Sequence, residues 1–226
     1  MRPVDQLTIP ATVQAVLEAR MDRLGEREKA VLQTAAVIGR EFAESVLAGV
    51  VEAPESELVR ALGALTAAEF LYERSLYPEA EYAFRHPLTE EVAYRSQLAA
   101  RRARTHAAIA RAIPDAYPDR CEELAAVVAD HWDRAGSPLE AARWNARAAA
   151  WAGQNHPADA LRHALAVRSL VRDLPDTDET AGLRLGACIS ILNFGGWRMG
   201  MPEDEIAEVY ADGRAVAERL NQPSCG

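Results

Sequence analysis

FLYERSLYPEAEYAFR, residues 70–85, is the stretch on which the fold turns. Its two halves, Phe70–Arg74 and Glu81–Arg85, are short and aromatic-rich, and they flank a segment containing Pro78. Aromatic and alternating residues on either side of a turn signal predict a β-hairpin. Nothing else in the chain carries this pattern, so the hairpin is a small addition to a chain that otherwise reads as helix.

Working upstream, the residues before the hairpin have helical spacing. Pro54-Glu55-Ser56-Glu57 opens a helix with acidic groups near its positive end, and Leu58, Leu62 and Leu65 fall on one face. Before it comes a short apolar stretch, Phe42–Val51, and before that Glu26–Ile38, a helix burying Val31, Leu32, Ala35 and Ile38 and stopping at Gly39. Ile9–Leu24 reads as a further amphipathic helix with Val13, Val16, Leu17, Met21 and Leu24 on one side, broken by Gly25. Three helices followed by a two-stranded wing is the order of a winged helix-turn-helix domain. The domain is expected at residues 25–87, with 1–24 as a lead-in helix.

Working downstream, no strand signal follows Leu88. The spacing predicts a long helix from about Leu88 to Ile113, ended by Pro114, which connects residues 88–116. Further helices are expected near Cys121–Ala135, Pro138–Ala152, Pro157–Leu174, Glu179–Trp197 and Pro202–Leu220, separated by Gly and Pro breaks. With Ala141 as position 1 of a 34-residue tetratricopeptide unit, Trp144 falls at position 4, Ala148 at 8, Trp151 at 11, Ala160 at 20 and Ala164 at 24. Arg147 departs from the usual leucine at position 7. The fold class is therefore mainly α: a winged helix with a small hairpin, then an antiparallel helical-hairpin, tetratricopeptide-like array over 117–226. Trp132, Trp144, Trp151 and Trp197 are read as core residues of that array.

Composition narrows the function. Of 226 residues, 49% are hydrophobic and 26% charged, and no apolar run approaches the roughly 18 residues that span a bilayer. Three scattered cysteines (Cys121, Cys188, Cys225) offer neither a disulfide framework nor zinc spacing, so a reducing cytoplasm is the expected location. Net charge is −9, and residues 1–92 carry nine Arg/Lys against sixteen Asp/Glu, a net of −7. A winged helix that neutralises phosphates needs the opposite balance, so no DNA partner is expected. The one basic cluster, Arg101-Arg102-Ala103-Arg104 with Arg95 and Arg111 nearby, lacks aromatic neighbours and reads as a solvated or interdomain face. Lys29, the sole lysine, lies in no GxxxxGK[ST] loop, and HExxH, CxxC and GxSxG are missing too. His156 and His163 are seven apart with Pro157 between them, too little for a metal site without a third ligand. Glu203-Asp204-Glu205 is a helix first turn rather than a catalytic cluster. No catalytic residues, no metal and no cofactor of the chain's own are expected.

The ordered segments IPATVQAVLEARMDRL (9–24), EKAVLQTAAVIGREF (28–42) and YAFRHPLTEEVAYRSQL (82–98), followed by tryptophan-bearing repeats, resemble one family. It is the region that follows the nucleotide-binding domain in bacterial STAND-type ATPases, including class III adenylate/guanylate cyclases with a central ATPase module. The resemblance implies a regulatory segment that couples partner binding to an upstream ATPase and cyclase. The same superfamily contains large transcriptional regulators, and a free-standing scaffold is a third reading. The implied partners are the upstream ATPase domain and an unidentified protein or peptide on the repeats, with no membrane. STAND relatives end the winged helix in a Met-His-Asp motif whose histidine contacts the β-phosphate of ADP. Arg85-His86-Pro87-Leu88 is similar, which puts His86 and Arg85 forward as nucleotide-sensing residues when an ATPase domain is present. Pro87 stands where that motif has aspartate.

Overall fold

The computed structural model describes residues 11–77, 79–153, 155–196 and 199–221. The chain is mainly helical with one three-stranded antiparallel sheet, and it divides into two compact units, residues 1–112 and 113–226. No helix among the described residues is long and apolar enough to cross a membrane.

In the first unit the order is α1 (Ala11–Met21), α2 (Glu26–Ile38), β1 (Glu41–Ala43), α3 (Glu44–Val50), α4 (Glu55–Ala67), β2 (Leu71–Ser75), β3 (Glu81–Phe84) and α5 (Pro87–Arg95), with α6 (Ala99–Ala116) crossing the boundary. The hairpin is present, but the sheet has three strands in the order β1-β3-β2 rather than two. β1 was not visible in the sequence because three residues have no period of their own. They become a strand by pairing with β3, Glu41 opposite Ala83 and Phe42 opposite Tyr82. Cross-strand aromatics consolidate it, Phe42 stacking on Tyr82 with ring centroids 6.0 Å apart and meeting Phe84 edge-on.

One core underlies this sheet. Val31, Leu32 and Ala35 of α2, Leu47 of α3, Leu58, Leu62 and Leu65 of α4, and Leu71 and Phe84 of the hairpin are all buried within it. The inward faces expected for α2 and α4 are thus the ones observed, except that Ile38 is only partly buried. α1 departs further. Leu17 and Met21 enter the core against α5, while Val13 and Val16 are exposed, so its buried apolar stripe is one residue per turn.

The expected long helix over Leu88–Ile113 is two helices. Between them Gln97 turns inward and its amide donates to the carbonyls of Gln33 and Ala93, at 2.9 and 3.2 Å. A buried side chain that satisfies backbone across helices wins over local helical preference here. Pro114 lies inside the last turn of α6 rather than ending it.

α4 closes with a Schellman motif: Phe70 N–H bonds Leu65 O at 3.0 Å, and Glu69 N–H bonds Thr66 O at 3.0 Å. The left-handed residue is Glu69, at φ 60°, a conformation costing a side-chain-bearing residue roughly 1–2 kcal/mol. The equivalent turn after α7 uses Gly136 at φ 71°. We expect Glu69→Gly to leave the melting temperature of the first unit unchanged or raised, as calorimetry would read. A fall would mean the Glu69 side chain contributes more than its backbone costs.

The second unit contains α7 (Ala125–Arg134), α8 (Pro138–Ala152), α9 (Pro157–Val171), α10 (Asp178–Ile191) and α11 (Glu203–Leu220), with a 3₁₀ turn at Pro118–Arg120 and a π turn at Leu192–Gly196. Each helix packs on the next, and α10 also reaches back to α8. Proline at the first helical position starts α8 and α9, and a Thr177/Thr180 capping box starts α10. α7 begins later than expected because residues 121–124, after the 3₁₀ turn, form hydrogen-bonded turns rather than helix. Ala141, Ala148, Ala160 and Ala164 are buried, which lets the α8 and α9 backbones approach closely. The reading of the tryptophans needs correction. Trp132 is buried, but Trp151 is 59% exposed, and Trp197 lies outside the described residues.

Candidate functional site

The junction between β3 and α5 carries the two residues singled out by sequence. Arg85 continues from β3, its N–H bonding Phe70 O at 2.9 Å, while its guanidinium lies 3.8 Å from the Glu69 carboxylate, half-exposed. His86 is extended, at φ −134° and ψ 134°, and serves as the N-cap residue of α5 with Pro87 at the first helical position. Its carbonyl accepts from Thr89 N–H at 2.9 Å, whereas its imidazole makes no capping bond and is exposed. The chain therefore places an exposed arginine and an exposed histidine in succession at a helix amino terminus, with the Glu69 carboxylate beside the arginine. The strained backbone of Glu69 lies directly beside it.

The basic cluster on α6 is partly consumed inside the fold. Arg102 stacks over the Tyr94 ring at 4.8 Å and donates to Gln97 O at 2.7 Å. Arg95 pairs with Glu91 one turn back, leaving Arg101 and Arg104 facing solvent.

A second polar region lies in the second unit, where α7, α8 and α9 line an open cavity of ≈ 180 Å³. Glu122 and Glu123 line it from the segment before α7, Trp151 from α8, and His156, Asp159, Arg162 and His163 from α9 and its cap. The histidines that Pro157 was expected to separate thus share one cavity. Pro157 begins α9, as the spacing led one to expect, so His156 caps the helix and His163 sits two turns in. His163 is buried. Its Nδ1 lies 2.8 Å from Asn145 Oδ1 and its Nε2 lies 3.0 Å from Arg162 Nη2. An amide oxygen and a guanidinium N–H can both be satisfied only if Nδ1 donates and Nε2 accepts, which is the neutral imidazole. Burial, reinforced by the Arg162 charge, holds its pKa below the ordinary value.

Arg147, which replaces leucine at position 7 of the repeat, stacks over Trp144 at 4.0 Å and bonds Glu122 at 2.6 Å. On the other side of the array, α9, α10 and α11 converge on Asp212. Its carboxylate accepts from Arg168 Nε and Arg184 Nε, each at 3.1 Å. The buried Cys188 thiol donates to it at 3.6 Å and is pushed up to about 11, by desolvation first and by Asp212 second. That thiol is protonated at neutral pH and packs as a small apolar group. No group of three or more side chains able to hold a metal ion occurs among the described residues. Comparison with known proteins finds no matching family model, no matching curated protein and no matching solved structure.

Proposed function

We propose that this chain is a non-catalytic regulatory segment that couples a docked partner to a STAND-type ATPase and nucleotide cyclase in a larger signalling protein. The observation that carries the reading is the element order of the first unit. Helix, strand, helix, helix, strand, strand, with β1 beside β3, is compatible with the order expected of a winged helix and supports that reading. The second unit supports the other half of the reading, because helices packed on their successors, with α10 reaching back to α8, suit a tetratricopeptide-like array. In this reading α5 and its His86 cap face the ATPase, and Arg85 and His86 meet the nucleotide's phosphates. The array is the surface on which a partner biases a hinge between two states.

The test is a binding titration of this chain against the ADP-loaded ATPase module of a STAND-type cyclase. We expect association, weakened about tenfold by His86→Ala, which corresponds to about 1.4 kcal/mol. Absence of association with both the nucleotide-free and ADP-loaded modules would reject the proposal.

A further inference from the structure

The sequence favours one helix where the fold has two, α5 and α6. Residues 88–113 contain neither glycine nor proline, and Leu98-Ala99-Ala100-Arg101-Arg102-Ala103-Arg104 is a run of strong helix formers. The departure from helix is confined to Gln97 and Leu98. Ser96 keeps right-handed helical dihedrals, φ −65° and ψ −12°, and its N–H still bonds Val92 O at 2.9 Å.

Side chains stand in for the backbone bonds that the break removes. A continuous helix would send the N–H groups of Gln97, Leu98 and Arg101 to the carbonyls of Ala93, Tyr94 and Gln97. Here Ala93 O accepts from Ser96 Oγ at 2.8 Å and from Gln97 Nε2 at 3.2 Å. Tyr94 O accepts the Gln97 N–H at 3.3 Å, and Gln97 O accepts from Arg102 Nη1 at 2.7 Å. Two more bonds tie the break to α2: Gln97 Nε2 donates to Gln33 O at 2.9 Å, and Gln33 Nε2 donates to Ser96 Oγ at 3.0 Å. The donors that open α6 have no such replacement. Among the described residues, the N–H groups of Leu98, Ala99 and Ala100 meet no protein acceptor. Leu98 has no side-chain oxygen to cap the helix and is 80% exposed. Arg101 stands in the first turn, where the helix dipole disfavours a cation.

The Tyr94 ring distinguishes bent from straight. Arg102 lies over it at 4.8 Å, and its hydroxyl is 3.1 Å from His106 Nε2. In a continuous helix Arg102 and His106 would stand about 12 and 18 Å further along the axis, out of reach. Leu98, four residues after Tyr94, would take the place beside the ring.

We infer that the α5–α6 break is a latched hinge: Gln97 and Arg102 hold it bent, and their release joins α5 and α6 into one helix. The bent form is the resident one, because it keeps the Tyr94–His106 bond and the close approach of α6 to α3. At that approach a Cβ on Gly49 would lie 3.0 Å from the Ala112 Cβ. The hinge gives the regulatory reading above a moving part, and its test needs no ATPase module, so either can fail without the other.

The test is amide hydrogen exchange, followed by NMR on the whole labelled chain. The unaltered protein is compared with Gln97→Ala/Arg102→Ala, and with that double variant carrying Leu98→Asp. In the unaltered chain the amides of Leu98, Ala99 and Ala100 should exchange as fast as in an unstructured peptide. In the double variant they gain helical acceptors, and we expect exchange slowed about tenfold, a population of about nine to one for the joined helix. The Cα shifts of Gln97 and Leu98 should move to helical values at the same time. Leu98→Asp supplies the missing cap of α6 and should restore fast exchange. Protection of the Leu32 and Leu62 amides, in the core of the first unit, reports that the fold is intact. Fast exchange at 98–100 in a folded double variant would overturn the inference, because packing alone would then set the break. Slow exchange in the unaltered chain, or no response to Leu98→Asp, would overturn it too. If the double variant loses core protection, Arg102→Ala alone is read by the same criteria, with slowing of about threefold expected. Loss of core protection there as well would make these side chains part of the fold rather than a latch, and the hinge would be rejected.

Discussion

Replacing Asp212 with alanine should lower the stability of the second unit by about 3 kcal/mol. Asp212 of α11 accepts from Arg168 of α9 and Arg184 of α10, and its side chain is only 10% exposed. Desolvation opposes its charge, and the bonds from Arg184 and Arg168 outweigh that opposition, keeping its carboxyl below the ordinary range. Truncation leaves the Arg168 guanidinium, 19% exposed, without its inner partner. Stranding a buried charge costs more than the pair contributes net. Two features hold the figure to the low end of the usual range: Arg168 keeps Glu208 at 2.7 Å, and Arg184 is 43% exposed and can turn to water. Arg184→Ala should accordingly cost about 1 kcal/mol or less. All four tryptophans, at 132, 144, 151 and 197, belong to the second unit, so urea unfolding followed by tryptophan fluorescence reports it alone. A loss below about 1 kcal/mol for Asp212→Ala would mean that the two arginines find solvent without penalty, and the triad would be surface decoration.

The contrast between what sequence showed and what it hid follows the range of the interactions. Helices were legible wherever a stripe of apolar residues met a local stop: Leu58, Leu62 and Leu65 of α4, or Pro157 at the head of α9. These signals are carried by neighbours within a turn or two. β1 was illegible because only β3, about forty residues away, makes it a strand. The break between α5 and α6 was hidden for the same reason, since it exists to let Gln97 reach Gln33. At the sites the division is similar. The Arg85–His86 junction is a contiguous run and could be read directly. The Trp151 cavity joins Glu122, Trp151 and Asp159, each innocuous in its own segment, and its one local hint was His156 and His163 seven residues apart. Sequence reasoning assigned Trp151 to the core because the repeat position says so. The repeat fixes where the backbone lies, but what covers a side chain depends on its neighbours in space.

Acidification should destabilise the second unit before its carboxylates titrate, and His131 is the reason. This α7 histidine is 5% exposed, and its pKa is lowered from 6.5 to about 4. Burial is the main cause; Asp130 raises the value and Arg134 lowers it, and these nearly adjacent charges do not offset the burial. The sign follows from proton counting. Below about pH 6.5 the unfolded chain binds a proton at His131 and the folded chain does not, so protons favour unfolding. The stabilisation is complete above the unfolded value and is lost progressively until pH falls through about 4, where the folded histidine protonates too. The separation of the two values corresponds to about 3 kcal/mol, of which about 2 kcal/mol is lost between pH 7 and 5. His163 is shifted in the same direction and adds to the slope, so His131→Gln should flatten the profile without levelling it. The decisive quantity is the difference in unfolding free energy between pH 7 and 5, not its absolute value, because glutamine also changes packing. If the chain and His131→Gln lose the same amount over that interval, His131 is protonated in the fold, and its enclosure by α7 and its neighbours must be looser than its burial implies.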